Sequence, residues 1–259
     1  MRADINSRPL PGTIFWYHNM PTAIVVDGAF YLRRFKTRFP NFPSNDASAI
    51  AAGVRHLAGW HLAERRKHEA RPAITDLVGY RPSETPAIYR IFFYDCPPLT
   101  KRLHYPVSKR SLNLAATSEA ELRKAVHQEL LRTRKVALRF GRLNDKLAGW
   151  KPKAEAVKRW LATDNFDPVD EDFELDIQQK GVDMKLGLDI AAMAFKRQVD
   201  QIILVAADAD FVPAAKLARR EGIDVVLDPL GANYADDLAD HVDGIRNLPI
   251  LTFAYKAED

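Results

Sequence analysis

One cysteine, Cys96, stands among 259 residues, so the chain can form no intrachain disulfide and no thiolate zinc cluster. Long hydrophobic runs are missing too. Apolar stretches such as Ile202–Ala207 have the length of a strand and fall far short of a bilayer span, so no membrane partner is expected. With 12 Gly, 16 Pro, 47% hydrophobic and 28% charged residues, neither a collagen-like nor a disordered chain fits. Met1–Asn6 has neither the apolar core nor the cleavage site of a signal peptide, and a cytoplasmic location is expected.

The chain also lacks a large net charge, at +4, but the balance is uneven along its length. Residues 101–159 hold 16 Lys and Arg against 5 Asp and Glu, whereas residues 160–259 hold 9 against 21. A basic block followed by an acidic one suits a polyanion-binding face beside a carboxylate-rich centre, or two solvated helix faces of opposite sign.

The hydrophobic pattern alternates between two periods. Thr22–Val26, Ala87–Tyr94, Gln201–Ala207 and Asp224–Leu227 read as buried strands, with Phe173–Gln179 and Leu248–Phe253 as weaker ones. Helical spacing appears over 46–70, 117–139, 183–197, 211–221 and 234–241, with Pro213 tolerated in a first turn. The alternation predicts an α/β fold, a central mostly parallel sheet covered by helices on both faces. A single domain over about 20–255 is expected, with insertions at about 36–84 and 99–165 and an N-terminal extension over 1–19.

In such a sheet, ligands gather beyond the carboxyl ends of the strands. Asp27 closes the first strand, and Asp208 and Asp210 follow the most apolar one. Asp183 stands where Lys180-Gly181-Val182 turns into a helix, with Asp189 further along it. If the strands are neighbours, these carboxylates repel one another and call for a cation, and an all-oxygen donor set selects Mg²⁺ or Mn²⁺ over zinc. Each has a plainer reading: Asp210 and Asp183 as helix caps, Asp27 as a turn residue, Asp189 as a solvent-facing residue. Asp95, before two prolines, reads as a turn residue, and His56, His61 and His68 as a surface cluster.

Three motifs, in order, carry a resemblance: Val25-Val26-Asp27-Gly28, then Lys180-Gly181-Val182-Asp183 with Asp189, then Ala206-Ala207-Asp208-Ala209-Asp210-Phe211. Together they resemble the NYN family of PIN-like nucleases, and Arg90–Pro98 resembles that family's second strand. The resemblance implies a PIN-like αβα sandwich with helical insertions and a metal-dependent ribonuclease. It implies catalytic roles for Asp27, Asp183, Asp208 and Asp210, with Asp27, Asp183, Asp208 and Asp189 around Mg²⁺ or Mn²⁺. A water of lowered pKa would attack the phosphodiester in line, leaving a 5′-phosphate and a 3′-hydroxyl. RNA, single-stranded or looped, is the implied partner, with a homo-oligomer open. Arg33, Arg34, Lys36, Lys180, Arg132, Arg134 and Lys135 are the expected phosphate contacts, and Tyr105, Phe140 and Trp150 the candidate base-stacking groups.

Two positions depart from the family pattern. Many relatives carry Asn where this chain has Phe30, and small polar residues where it has Ala206, Ala207 and Ala209. They keep open a catalytically inactive RNA-binding or regulatory module on the same fold. A Toprim-like nuclease or a nucleotide-sugar transferase is the second alternative.

Overall fold

The computed structural model describes residues 21–69, 87–144, 148–162, 166–177 and 179–256. The expected extension over 1–19 and residues 70–84 of the first expected insertion lie outside this set.

Strand β1 (Thr22–Asp27) shows why its apolar run is continuous. Ala23 and Val25 point into one core, Ile24 and Val26 into the other, and all four are fully buried. A central parallel strand has no solvent face, so it needs no alternation. Burying a Val or Ile side chain stabilises the fold by about 1.5–3 kcal/mol, so the strand is held from both sides.

Six parallel strands form the central sheet. β2 (Ile88–Asp95) and β5 (Val136–Phe140) lie on one side of β1. β10 (Gln201–Val205), β11 (Asp224–Asp228) and β12 (Gly244–Ile245) lie on the other. The chain therefore walks outward from β1 to β5, returns, and walks outward again, reversing strand order between β1 and β10. Helices α1 (Gly28–Arg38), α2 (Ala47–Glu69) and α3 (Ser118–Arg132) cover one face. Helices α5 (Val182–Phe195) and α6 (Val212–Arg220) cover the other, and the short α7 (Asp236–Ala239) packs beside α6. This is the expected αβα arrangement, and the sheet is parallel throughout.

Several elements differ from expectation. The helix read over 117–139 stops at Arg132; Lys135 takes a positive φ of 69°, and Val136–Phe140 become β5. A three-residue apolar run fits either period, and the open edge of β2 decides it by pairing Ile91–Asp95 with Val136–Phe140. Part of the expected second insertion thus lies in the sheet, and α2, within the first, packs on the sheet's face. Leu248–Phe253 forms no strand, because Pro249 interrupts it and the Leu248 amide bonds the Asp228 carboxylate instead.

Smaller antiparallel pairs lie outside the main sheet: β3 (Arg102–His104) with β4 (Ser111–Asn113), and β6 (Arg142–Leu143) with β9 (Gln179–Lys180). A third joins β7 (Gly149–Pro152) to β8 (Phe173–Asp176), and α4 (Ala154–Leu161) follows β7.

Gly28 opens α1 against the neighbouring strand. A Cβ there would stand 2.5 Å from Phe93 Cε1 and 2.6 Å from the Tyr94 carbonyl oxygen. The Tyr94 carbonyl belongs to β2 and cannot swing aside. Gly28→Ala is expected to cost about 1–3 kcal/mol in urea unfolding, and an unchanged midpoint would refute this close approach.

Candidate functional site

The reversal of strand order puts a crevice beyond the carboxyl ends of β1 and β10, which pair through Val26 and Val205. Asp27 ends β1 and caps α1, its Oδ1 accepting from the Phe30 amide at 3.1 Å. Asp208 follows β10 and caps the 3-10 turn Ala209–Phe211 by accepting from the Asp210 amide at 3.2 Å. Asp210 is not the expected helix cap: Phe211 holds that position before α6 with no side-chain bond, and Asp208 caps the turn ahead of it. Asp183 lies in the first turn of α5, where Gly181, at a φ of 78°, is the cap and leaves the Asp183 carboxylate unspent. Asp27 and Asp208 line one open cavity of about 360 Å³ with Phe30, Arg33 and three alanines; Asp183 and Asp210 line another.

Asp183 is the carboxylate that links this group electrostatically. The Asp27 carboxyl is held above its ordinary pKa, chiefly by burial and further by Asp183, against the opposing Phe30 amide and Arg33 guanidinium. Asp183 is also raised, first by burial and then by Asp210 and Asp208. The crevice therefore carries excess negative charge. Among the described residues no group of three His, Cys, Asp or Glu is arranged to hold an ion as it stands. In charge and donor type the crevice fits a hard divalent cation, whose field would favour the ionised carboxylates.

Other sequence-predicted residues are placed elsewhere. Asp189 does not join the four: its Oδ2 accepts from Tyr94 Oη and from Arg139 Nε, each at 2.8 Å. The Arg139 guanidinium also lies over the Phe92 ring. Arg34 donates through Nε and Nη2 to the Leu230 carbonyl, beside Arg38, so it holds a turn instead of facing the crevice. Arg132, Arg134 and Lys135 sit where α3 meets β5, at the amino edge of the sheet. A five-residue strand puts that edge roughly 16 Å from the carboxyl ends. The expected helix to 139 hid this reversal of direction. Arg33, Lys36 and Lys180 are exposed near the carboxyl ends, on α1 and β9.

The candidate stacking groups are also occupied. Tyr105 stacks on Trp150 at 5.0 Å under the Arg110 guanidinium, and Phe140 packs edge-on against His127. Phe30 is buried in the core beneath Asp27, so no polar group reaches the crevice from that position.

Two buried pairs depart from the sequence expectation. His61, read as a surface residue, is fully buried with Nε2 2.8 Å from Asp228 Oδ2. Asp95, read as a turn residue, is fully buried 2.8 Å from His127 Nε2 and 3.3 Å from Arg123 Nε. The signal was available, since both aspartates end strands of the sheet just as Asp27 does. His68 has a side chain outside the described residues.

No curated protein and no solved structure matches the chain. The NYN domain model matches residues 113–244, a span that includes Asp183, Asp189, Asp208 and Asp210 but begins after Asp27. With strand order, carboxylate crevice and matched span in agreement, the chain belongs to the NYN domain family, within the PIN-like nuclease superfamily.

Proposed function

We propose that the protein is a metal-dependent ribonuclease acting on single-stranded RNA. NYN domains are generally nucleases, and the observation that carries the reading here is the meeting of Asp27 and Asp208 in one cavity at the reversal of strand order, with Asp183 feeling the charges of Asp210 and Asp208 and acting on Asp27. Asp27, Asp183 and Asp208 would hold Mg²⁺ or Mn²⁺, with Asp210 in support; Asp189 serves instead to fix Arg139 and Tyr94. Bound there, the cation supplies Lewis acidity toward the phosphodiester and a water of lowered pKa.

The chain's own groups do the rest. Asp27 and Asp208 are oriented by backbone amides, so their free oxygens are fixed before any ligand arrives. Arg33, whose charge acts on Asp27, is placed to neutralise a phosphate oxygen at the crevice. Lys180 stands just before the α5 cap and meets the strand on its exposed side. The scheme needs no nucleophilic side chain.

The test is cleavage of end-labelled single-stranded RNA with Mn²⁺, Mg²⁺ or EDTA. Cutting with either metal and none in EDTA is the expected result. Phe30 and the alanines at 206, 207 and 209 favour a second reading, a binding module without turnover, because they remove polar support from the crevice. That reading predicts tight, salt-sensitive RNA binding with no cutting under any metal. The Toprim-like and sugar-transferase readings have no supporting observation once the chain belongs to the NYN family.

A further inference from the structure

A second cavity, about 490 Å³, opens beside the carboxylate crevice between α1, α3 and the residues of β6 and β9. Arg33 lines both this cavity and the one at Asp27 and Asp208, so the two adjoin at that side chain. The floor of the second is apolar, from Leu32, Leu122, Leu143 and Ile177. Its rim carries two exposed cations, Lys36 and Arg33 on α1, facing Glu119 and Gln179, while Arg123 on α3 is held in the wall by its ion pair with Asp95. The volume holds a nucleoside and is too small for a folded partner segment.

We propose that this cavity seats one unstacked base of an RNA strand, the nucleotide next to the phosphodiester at Asp27, Asp183 and Asp208. The proposal rests on the ribonuclease reading for the position of that phosphodiester. An apolar floor accepts the faces of a base, which water solvates poorly, while the charged rim meets the sugar-phosphate on either side. Arg33, at the junction, contacts the phosphate joining the seated nucleotide to the crevice. Glu119 and Gln179 lie at the rim, where a carboxylate and an amide can accept from or donate to a base edge. A base paired in a duplex cannot enter, so the cavity selects single strands.

The experiment measures binding by fluorescence anisotropy with the full chain in EDTA, where cleavage cannot interfere. The probes are a labelled eight-nucleotide single strand, a series with one base removed at each position in turn, and the matching duplex. Removing one particular base is expected to weaken binding by roughly tenfold, with the other positions much less sensitive. Leu122→Trp fills the cavity from α3, and Lys36→Glu reverses a rim charge at an exposed site. Leu122→Trp should abolish sensitivity to the missing base, and Lys36→Glu should weaken every probe alike.

If every abasic position binds as the intact strand does, the base seat is wrong, whatever the cleavage result. If one position is sensitive and Leu122→Trp removes the sensitivity, but no metal supports cutting, the seat stands and the ribonuclease reading falls. Should Leu122→Trp fail to fold, sensitivity of the Lys36→Glu protein at the same single position still supports the seat, and loss of positional preference in the wild type still refutes it.

Discussion

Asp183→Asn is expected to abolish metal-dependent RNA cleavage while raising the thermal midpoint of the metal-free protein at neutral pH. The loss of activity should reach at least a hundredfold, because the variant removes one of the charges that hold the cation. The gain in stability follows from the sign of the pKa shift. Burial, Asp210 and Asp208 raise the Asp183 carboxyl above its ordinary value of 3.8, so the fold favours the protonated form. Its stabilising effect is complete below that ordinary value and is lost as pH rises through the folded-state pKa. At pH 7 the ionised group is a strain on the apo fold that asparagine relieves. The gain should fade as pH falls and vanish at about pH 3, well below the ordinary value, where Asp183 is protonated in both states. Asp27→Asn gives a parallel result with less structural risk, since asparagine keeps the α1 cap and its Phe30 amide bond. Thermal unfolding from pH 3 to 8 with EDTA, beside a cleavage assay with Mn²⁺, checks both halves. A drop in the neutral-pH midpoint would refute the electrostatic account.

Asp228→Ala is expected to destabilise the fold by about 3–5 kcal/mol, a large part of what holds a domain together. Asp228 ends β11 fully buried and serves three donors: His61 across the α2 face and the amides of Leu230 and Leu248. Its removal leaves those donors buried without a partner. His61→Leu removes one donor and leaves the carboxylate its two amides, so it should cost clearly less. Buried His61 already has an Nδ1 without a hydrogen-bond partner among the described residues, which further limits the loss. Urea unfolding of both variants decides it, and equal losses would show that the amides contribute little.

The contrast between Asp27 and Asp228 shows how far the sequence can be read. Both follow an apolar strand and precede a turn, and the same rule marks each as a residue at the carboxyl edge. Asp27 lies where strand order reverses, while Asp228 lies one strand further out, under a helix that supplies His61. Local pattern gives the edge; only strand order tells a crevice from a core. The central strands, their covering helices and the place of Asp27, Asp183, Asp208 and Asp210 at the ends of strands and the starts of turns or helices were legible because each rests on a short, strong pattern. The basic residues were harder. Arg132, Arg134 and Lys135 looked continuous with the crevice only while 117–139 read as one helix. Once β5 peels away, they stand at the far edge. Arg34 looked like Arg33, but one residue along α1 turns it toward the Leu230 carbonyl. Asp189 shared the motif with Asp183, yet lies further along α5, where Tyr94 and Arg139 claim it.

The pairing of β1 with β10 joins residues 179 apart in sequence, as the Thr22 to Gln201 hydrogen bond shows. During synthesis, Asp27 leaves the ribosome long before Asp183 and Asp208 exist, and closing so long a loop is slow. A growing chain therefore holds no assembled carboxylate centre while it is still surrounded by messenger and ribosomal RNA. Assembly of the centre waits until residue 208 has been made and β10 has docked on β1.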